Sequence, residues 1–454
     1  MSEPISIEEL TRRTGEPAER LEKWRERGII GNAKAEDFRP EDIGRAMLVH
    51  DLLHYGMTAE AIGEAASDPS SVLCHYLDEM GQRYANPCYS VSEIAERLGI
   101  DLDQTRRLLE SGGVHEPGEM LDDRDVVFLR SCKVALDAGM PEEALLQILR
   151  VYSDNMARIA EVGARVGHFY MHQPLMAEGH TGAKSLEVLE DAFKRIEPLV
   201  LPAILYFHHK GIERAQWEDM LMHLEEEAGL ADKPEVPGQI RQAIMFVDLA
   251  SFTPLAEAMG DVRASQILQR FSSMVRTVAR GAHGRIVKQI GDAFMLMFSE
   301  PHQAVMCSVA LERYCSREPQ FPAVRTGIHW GPVLYREGDY FGSNVNVASR
   351  LADDAQRHQT LISGDLWRRV KDMEGIEFVR LGKRRLKGLA AEMDVFEARW
   401  AEPGRVEKVA DPVCGMELGA SEVAARLSFD GQDHAFCSDD CLRKFVASPG
   451  SYAA

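Results

Sequence analysis

The stretch VKQIGDAFMLMF, residues 287–298, decides how the central part of this chain folds. Gly291 separates two short apolar runs, RIVKQI and AFMLMF, and glycine readily adopts the backbone conformations of a tight turn. Two such runs joined by a turn are typical of a β-hairpin. Lys288 and Asp292 then lie near its tip, either as ordinary surface charges or as a functional pair.

The composition indicates a multidomain protein with an acidic surface. The chain has 454 residues, and 52 Lys and Arg stand against 72 Asp and Glu, for a formal net charge of −20. At roughly 100 to 200 residues per domain, this length predicts about three domains. The charge repels nucleic acid and anionic membranes, so a polyanionic ligand needs a local basic pocket.

No targeting or membrane segment is evident in the sequence. The longest apolar candidate, LVLPAILYF at 199–207, is shorter than the roughly 20 residues that span a bilayer and contains Pro202. The first ten residues lack the basic and then apolar pattern of a signal sequence. We therefore expect a cytoplasmic protein with no membrane partner.

The N-terminal half contains an internal repeat, because ISIEELTRRTGE at 5–16 aligns with YSVSEIAERLGI at 89–100. Each copy begins with a serine and has a glutamate three residues later, which is the spacing of a helix capping box. Apolar residues then recur at helical intervals up to a glycine. Each copy is predicted to form a helix, a turn and a second helix.

The two copies resemble the MerR-like helix-turn-helix, which implies DNA reading by the second helix of each copy. In the first copy this helix, at 17–28, mixes basic with acidic residues, and the second copy offers only Arg106 and Arg107 among acidic neighbours. Phosphate contacts need a basic face. The charges favour a regulatory or dimerising role and leave DNA binding as the alternative.

Residues 151–230 are predicted to form a helical regulatory region, with breaks at Pro174 and at 179–182. His168 and His172 are four residues apart and share a helix face, a spacing that suits a metal site or a pH switch. The alternative is a pair of ordinary exposed or core histidines. The Pro-containing stretch ADKPEVPG, 231–238, is predicted to be a linker.

The region after this linker alternates strand and helix patterns. A strand that ends at Asp248 precedes a helical pattern at 254–280, the hairpin, a second helix at 303–315 and a strand or hairpin at 323–335. This βαββαβ order predicts a ferredoxin-like arrangement. Such a sheet supports many functions, so the fold alone does not identify one.

Four motifs in this region resemble those of the class III nucleotidyl cyclases: FVDLASFT at 246–253, KQIGD at 288–292, DYFGSNVNVASR at 339–350 and LKG at 386–388. The resemblance covers residues 239–400. The site residues that it implies are Asp248 and Asp292 for two Mg²⁺ or Mn²⁺ ions, Lys288 and Asp339 for the purine, Asn346 and Arg350 for the ribose and the transition state, and Lys387 for the triphosphate.

The chemistry of these side chains agrees with the implied roles. Paired carboxylates suit divalent ions that bridge substrate phosphates, and an arginine fork suits charge on phosphoryl oxygens. A lysine donor and an aspartate acceptor complement N1 and the N6 amino group of adenine, whereas guanine needs the reverse, so the pair Lys288 and Asp339 favours ATP. The alternative is that these residues are helix caps, turns and solvated charges.

The resemblance also implies a homodimer. In that family the site lies between two catalytic domains, with the metal aspartates from one and the base-reading and transition-state residues from the other. This chain has one such domain that carries both sets. We therefore expect two sites per dimer, in which Lys288 and Asp292 of one chain serve opposite sites.

The tail, residues 405–454, contains DPVCGM at 411–416 and FCSDDC at 436–441, and it resembles the YHS domain and TRASH-type metal-binding modules. The ligands that the resemblance implies are Cys414, Cys437 and Cys441. Three thiolates suit Zn²⁺ or Cu⁺, with Asp411 or His434 as a candidate fourth ligand. The alternative is a thiol-bearing domain that packs without a metal.

The sequence thus predicts a multidomain α+β protein: a helix-turn-helix-like all-α half, a ferredoxin-like cyclase domain and a small treble-clef-like YHS tail. The predicted boundaries are 1–84, 85–150, 151–230, 239–400 and 405–454. The predicted function is an adenylate cyclase that converts ATP to 3′,5′-cyclic AMP and pyrophosphate. The alternative is a metal- or nucleotide-responsive DNA-binding scaffold with a silent cyclase domain.

Overall fold

The computed structural model describes residues 4–31, 37–83, 89–114, 120–179, 183–229, 236–389, 391–400 and 408–452. They divide into two compact units, Met1–Asp232 and Lys233–Ala454. The division falls within the linker predicted at 231–238, of which residues 231–235 lie outside the described residues. The finer boundaries stay predictions.

The described residues of the first unit are mainly helical, with a two-stranded sheet in which β1 pairs with β2. Its elements are α1 Ile7–Thr14, α2 Ala18–Glu26, α3 Glu41–His54, α4 Ala59–Ala66, α5 Val72–Arg83, β1 Tyr89–Ser90, α6 Val91–Leu98, α7 Leu102–Ser111, β2 Met120–Leu121, α8 Asp123–Asp137, α9 Glu142–Gly167, α10 Gln173–Ala177 and α11 Ala183–Glu227.

The sequence repeat corresponds to two matching helix starts. Ser6 accepts a hydrogen bond from the backbone N–H of Glu9, and Ser90 does the same for Glu93. In the second copy the Glu93 carboxylate also accepts from the Ser90 N–H, which completes the capping box. Both helices end at a left-handed glycine, as the pattern predicts.

The chain stays helical at the break predicted at Pro174, but the helix type changes just before this proline. A five-residue π-helical turn, His168–His172, separates α9 from α10, and Pro174 lies in the first turn of α10, directly after the π-helical turn. The imidazole rings of His168 and His172 lie 5.4 Å apart, on one face as predicted. His180, in the second predicted break, lies outside the described residues.

The second unit is built on a mixed sheet with the strand order β10-β11-β9-β7-β3-β5-β4, with β8 beside β7. Its elements up to residue 400 are β3 Gln239–Leu249, α12 Phe252–Met259, α13 Asp261–Gly281, β4 Arg285–Ile290, β5 Ala293–Phe298, α14 Pro301–Arg317, β6 Phe321–Pro322, β7 Val324–Arg336, β8 Asp339–Phe341, α15 Ser343–Asp354, β9 Thr360–Ser363, α16 Gly364–Val370, β10 Ile376–Arg384 and β11 Met393–Trp400.

Helices cover the two faces of this sheet unequally. Apolar residues of α12, α13 and α14 pack with Phe294 and Leu296 on one face, and α15 packs on the other face, against β3 and β7. The helix predicted at 254–280 is two helices, because Gly260 has a φ of 80° between α12 and α13. The βαββαβ order is confirmed, with further strands added at the β7 side.

The tail shares the apolar core of the second unit instead of forming a core of its own. Its elements are β12 Val409–Ala410, β13 Met416–Leu418, β14 Ala425–Phe429, β15 Gln432–Phe436 and α17 Asp439–Ala447. Strand β13 pairs with β6, with Glu417 opposite Phe321. Phe436 and Phe445 of the tail are buried in the same apolar cluster as Phe271 and Phe321. A segment this short gains stability by sharing a larger core.

A partly buried histidine adds a polar link at this junction. His358 contacts Glu312 of α14 through Nδ1 and Glu417 of the tail through Nε2, both at 2.6 Å, and Arg357 lies 3.3 Å from Glu417. Burial lowers the pKa of His358, but the hydrogen bonds and charges of the two carboxylates outweigh it and raise the pKa to about 9. His358 therefore carries its proton at neutral pH.

The shared core predicts that Phe445→Ala destabilises the second unit. Phe445 is fully buried, and removal of a buried phenyl ring costs about 3–5 kcal/mol of unfolding free energy. Urea unfolding of the full chain measures this as a lower transition midpoint. Val446→Ala is the matched control, because Val446 is 57% exposed and its loss changes stability by less than about 0.5 kcal/mol. Equal effects of the two substitutions would contradict the shared core.

The His358 link predicts a pH-dependent stability of the second unit. Because the folded pKa of about 9 lies above the unfolded value of about 6.5, the stabilisation is full below pH 6.5 or so and is lost as the pH rises through 9. Thermal unfolding between pH 6 and pH 9 should show a smaller decline in His358→Gln than in the unchanged protein. His302→Gln, at an exposed histidine beside Glu300, should keep the full decline.

Candidate active site

The implied metal ligand Asp248 faces the α15 side of the sheet. In β3 the side chains alternate, with Ile244 and Phe246 packed beside Ala348 and Ala352 of α15. Asp248 continues this series, and its cross-strand partner on β7 is Arg325. Directly opposed residues of an antiparallel pair share a face, so both side chains project from the same face near the end of β3.

Asp248 has one satisfied and one unsatisfied carboxylate oxygen. Its Oδ2 accepts hydrogen bonds from Arg325, with a distance of 2.9 Å to Nε and a second contact to Nη2. Its Oδ1 is buried and has no hydrogen-bond partner among the described residues. An unpaired buried acceptor is costly, so Oδ1 is a ready ligand for a cation.

Asp292 lies beside Asp248 in the turn between β4 and β5. Gly291 adopts a φ of 61° there, as the hairpin prediction requires. Burial and the negative charge of Asp248 raise the pKa of Asp292 to about 6. Two neighbouring carboxylates, one with an orphaned oxygen, fit hard divalent ions such as Mg²⁺ or Mn²⁺.

Lys288 and Asp339, the implied purine readers, contact each other. Lys288 Nζ donates to Asp339 Oδ2, and Asp339 Oδ1 accepts from the Tyr340 N–H at 2.8 Å. Lys288 reaches this position through a β-bulge: Ile286 opposes Leu296, but Lys288 opposes Met295, so the bulge turns Lys288 to the α15 face. The pair remains partly exposed, with 39% and 29% of the side chains accessible.

Asn346 and Arg350 lie on α15, four residues apart and therefore on one helix face. Asn346 is exposed, and Arg350 donates to Asp353 at 2.7 Å. The helix lies directly on β7, because a Cβ on Gly327 would be 2.1 Å from the Ala352 nitrogen. Only glycine permits this approach, which places both side chains relative to the sheet.

The start of α15 is tied to β7 by a buried polar chain. His329 Nε2 lies 2.8 Å from Asn344 Oδ1, and Asn344 Nδ2 donates to the Pro332 carbonyl at 2.7 Å. His329 Nδ1 contacts the Ser363 hydroxyl at 2.7 Å. Burial lowers the pKa of His329, so the ring acts as a neutral hydrogen-bonding bridge.

Lys387 lies in an exposed turn after β10, with Gly388 at a φ of 80°. Strand β10 is at one edge of the sheet, and β4, which carries Lys288, is at the other edge. The strand order therefore separates these two implied substrate-binding lysines within one chain. Arg325 is the site residue that the sequence motifs missed, because its role depends on strand register.

The three implied tail ligands come together in the folded tail. The Sγ atoms of Cys414 and Cys441 each lie 3.6 Å from Cys437 Sγ. A tetrahedral ion with metal–sulfur bonds of about 2.3 Å requires sulfur separations of about 3.8 Å, so the spacing fits Zn²⁺ or Cu⁺. Within the cluster the Cys441 sulfur accepts hydrogen bonds, which lowers its pKa to about 2, and the Cys414 thiol donates, which raises its pKa, so one thiolate is already favoured.

The two candidate fourth ligands differ in placement. Asp411 is within 4.8 Å of the thiol cluster, but its Oδ1 accepts from the N–H groups of Val413 and Cys414 and its Oδ2 from that of Cys437. Asp411 therefore orders the cysteine loops even when no metal is bound. The His434 ring packs 4.8 Å from the Phe445 ring, and His434 is outside the cluster.

Among the described helices, none combines the length and apolarity needed to cross a membrane. The basic residues of α2 that could meet DNA are paired with acidic residues, namely Arg20 with Glu16, Lys23 with Glu19, Arg25 with Glu22 and, just after the helix, Arg27 with Glu60.

Comparisons with known proteins agree with this geometry. Residues 238–398 match the adenylate and guanylate cyclase catalytic domain, 409–454 the YHS domain, 37–208 the adenylate cyclase regulatory domain and 5–68 the MerR HTH family regulatory protein. The MerR match covers the first sequence repeat, and the second repeat falls within the regulatory-domain match.

Three similar proteins illustrate the range of relatives. An uncharacterized protein of Mycobacterium tuberculosis is 29% identical over 68% of this chain and 79% of its own. A pH-sensitive adenylate cyclase of the same species is 26% identical over 81% and 89%. The crystal structure of the adenylyl cyclase CyaB from P. aeruginosa is 19% identical, covers 37% of this chain and 98% of its own, and has a TM-score of 0.33.

The motifs, the paired carboxylates and the family matches agree on the catalytic segment. The resemblances to MerR-like and YHS modules are likewise confirmed, and the match to a cyclase regulatory domain adds a description of the helical half. Residues 238–398 are the catalytic domain of a class III adenylate/guanylate cyclase, in a chain with MerR-type, cyclase regulatory and YHS domains.

Proposed function

We propose that this protein is an adenylate cyclase that converts ATP to 3′,5′-cyclic AMP and pyrophosphate. The observation that carries the proposal is the arrangement of four residues: Asp248 and Asp292 lie together, with an unpaired oxygen on Asp248, and Lys288 and Asp339 form the donor–acceptor pair that adenine requires. Relatives named adenylate cyclase, at 24% to 27% identity, support it.

In the proposed reaction, the ribose 3′-oxygen forms a bond to the α-phosphorus. The bond from that phosphorus to the bridging oxygen of pyrophosphate breaks, and the 3′-hydroxyl proton passes to solvent. Two Mg²⁺ or Mn²⁺ ions held by Asp248 and Asp292 would supply charge neutralisation for the leaving group and a lower pKa for the hydroxyl.

The remaining residues bind and orient the nucleotide. Asn346 hydrogen-bonds the ribose, Arg350 offers a planar fork to charge that develops on the phosphoryl oxygens, and Lys387 meets the terminal phosphates. Arg325 pairs with Asp248 in the structure. If a cation neutralised Asp248, the Arg325 guanidinium would be able to contact the phosphates of the substrate.

We also propose a homodimer with two shared sites. The face that carries Lys288 and Asp339 exposes large apolar side chains close by, with Ile290 54% and Phe341 50% accessible. The long helices α9 and α11 expose many more, among them Tyr206, Phe207 and Trp217. Apolar surface of this extent is typical of an interface. We propose a second copy of the chain as the partner at this surface. The reason is that Lys387 and Lys288 are both expected to bind substrate, but the strand order separates them within one chain.

In this proposal the helical half regulates the catalytic domain. Any change that rotates one subunit against the other alters both shared sites at once. The neighbouring rings of His168 and His172 keep a pH-dependent signal among the candidates, and one relative is named a pH-sensitive adenylate cyclase. The salt bridges on α2 argue against the alternative of a DNA-binding scaffold.

The shared-site proposal predicts complementation between inactive variants. Asp292→Asn and Lys288→Ala each inactivate both sites of their own homodimers, but a mixed dimer keeps one intact site. Random mixing should restore about a quarter of the unchanged activity, because half the dimers are mixed and each has one working site. Cyclic AMP formation with Mn²⁺ and ATP measures it.

The matched control for complementation is a pair from the same side of the site. Lys288→Ala mixed with Asn346→Ala should stay inactive, because both residues come from the same subunit for any given site. Confirmed Asp292/Lys288 heterodimers without activity would place those two residues in one site and refute the shared arrangement.

The purine-reading pair predicts a change of base preference. In the double variant Lys288→Glu, Asp339→Lys the acceptor and donor exchange places and match N1 and O6 of guanine. Its kcat/KM for ATP should fall on the order of 100-fold or more, and its ratio of GTP to ATP turnover should rise. Lys288→Met alone should lose ATP turnover without the gain in GTP. An unchanged base ratio in the double variant would show that other residues read the base.

A further inference from the structure

The tail lies against the loop that follows the metal ligand Asp248. This loop joins β3 to α12, and Ser251, three residues after Asp248, begins α12 in a left-handed conformation with a φ of 67°. A non-glycine residue adopts this conformation at a cost and keeps it only where its surroundings hold it. The contacts that surround Ser251 therefore bear on the position of Asp248.

One of these contacts is the cysteine loop of the tail. Gly415, which follows Cys414, has a φ of 71°, and a Cβ at this position would lie 2.8 Å from the Ser251 Cβ. The Gly415 backbone therefore touches Ser251 directly. Any movement of the Cys414 loop towards or away from the sheet changes the space available to Ser251.

Arg357 joins the same two loops by hydrogen bonds. Its Nη2 donates to the Gly415 carbonyl at 2.7 Å, and its Nη1 lies 3.4 Å from the Ser251 hydroxyl oxygen. Nη2 also lies 3.3 Å from Glu417 of the tail. One rigid guanidinium thus links the loop after Cys414 with the loop after Asp248.

The tail holds the other end of α12 as well. Lys444 Nζ donates to the Ala258 carbonyl at 2.8 Å and to that of Glu257 at 3.4 Å, in the last turn of α12. Lys444 is on α17, three residues after Cys441 and hence on the same side of that helix. Both contacts of the tail with α12 therefore adjoin a cysteine of the thiol cluster.

A cavity connects these contacts with the active site. It measures about 440 Å³ and is lined by Ala250, Ser251, Arg325, Ala355, Gln356 and Arg357. Arg325, the partner of Asp248, and Arg357, the partner of Gly415, thus border the same space.

We propose that the thiol cluster of Cys414, Cys437 and Cys441 is an effector site for a thiophilic ion, Zn²⁺ or Cu⁺, coupled to the Asp248 site through Arg357. This inference rests on the proposed function for its consequence, since the coupled site is the one that takes metal and ATP. A bound ion would replace the thiol–thiol hydrogen bonds with metal–sulfur bonds, and any shift of Cys414 that this causes would pass through Gly415 to Ser251. Arg357 acts as a positioning residue and does not touch the substrate.

Thermodynamic reciprocity provides the test. If the ion at the cysteines favours the nucleotide-bound site, then nucleotide must tighten the ion by the same factor. The apparent Kd for Zn²⁺ is measured in the full chain by competition with a chromophoric chelator, with and without a non-hydrolysable ATP analogue and Mg²⁺. We expect the nucleotide to change the Zn²⁺ affinity at least about 5-fold. A parallel titration with Cu⁺ under reducing conditions distinguishes the two ions.

Arg357→Gln isolates the link. This variant retains all three cysteines, so it should bind Zn²⁺ in the absence of nucleotide much as the unchanged protein does, but its affinity should no longer respond to nucleotide. Arg443→Gln is the matched control, because Arg443 is on α17, is 75% exposed and pairs with Asp440. It should keep the full response. Cys437→Ser removes one thiol of the cluster, so any Zn²⁺ that this variant still binds with unchanged affinity is bound elsewhere, including at Asp248 and Asp292.

Hydrogen exchange gives a second readout that requires no turnover. Zn²⁺ should slow amide exchange at residues 249–258 in the unchanged protein and in Arg443→Gln, but much less in Arg357→Gln. Absence of stoichiometric Zn²⁺ and Cu⁺ binding at the cysteines, or binding without any response to nucleotide, overturns the inference. A protein that makes no cyclic AMP but shows the coupling would refute the proposed function alone.

Discussion

The register of β3 between β5 and β7 is the constraint on which the catalytic site depends. Val247 is buried against the helices on one face, and Phe246 is buried under α15 on the other, so the apolar alternation sets the face of Asp248. A slip of one residue would turn Asp248 into the apolar core. Core packing therefore sets the position of Asp248, the proposed metal ligand, and the same register places Arg325 of β7 opposite it.

The site residues have partners inside the chain that a substrate or metal would replace. Lys288 forms an ion pair with Asp339, Arg325 with Asp248, and Arg350 with Asp353. A charged side chain without a partner is costly where it is partly buried. Because each charge is already compensated, binding exchanges one partner for another. Asp248 Oδ1, by contrast, has no hydrogen-bond partner among the described residues, and it is the atom that we propose as a ligand of a cation.

The tail shows how a small module can depend on a larger one. Phe445 of the tail lies in the same apolar core as Phe271 of α13. The pairing of β13 with β6 also joins the backbone of the tail to the rest of the second unit. Two adjacent residues contact the tail: His358 contacts Glu417, and Arg357 donates a hydrogen bond to the Gly415 carbonyl. The short segment 355–359, between α15 and β9, therefore contacts both the tail and the loop that follows Asp248.

Local patterns in the sequence were sufficient to predict much of this protein. The hairpin around Gly291, the capped helices after Ser6 and Ser90 and the cyclase and YHS motifs depend on neighbours within a few residues, and all were found as predicted. Gly260, which divides the helix predicted at 254–280, is a local signal that the prediction did not use.

The tertiary structure alone decided which residues meet. Strict alternation places Lys288 on the same face as Ile286, and only the bulge against β5 turns it towards Asp339. Arg325 and Asp248 are 77 residues apart, and Arg357 and Gly415 are 58 apart, so neither pair leaves a local pattern. Sequence determines residue chemistry and local conformation, whereas contacts between distant segments follow from strand register and shared core packing.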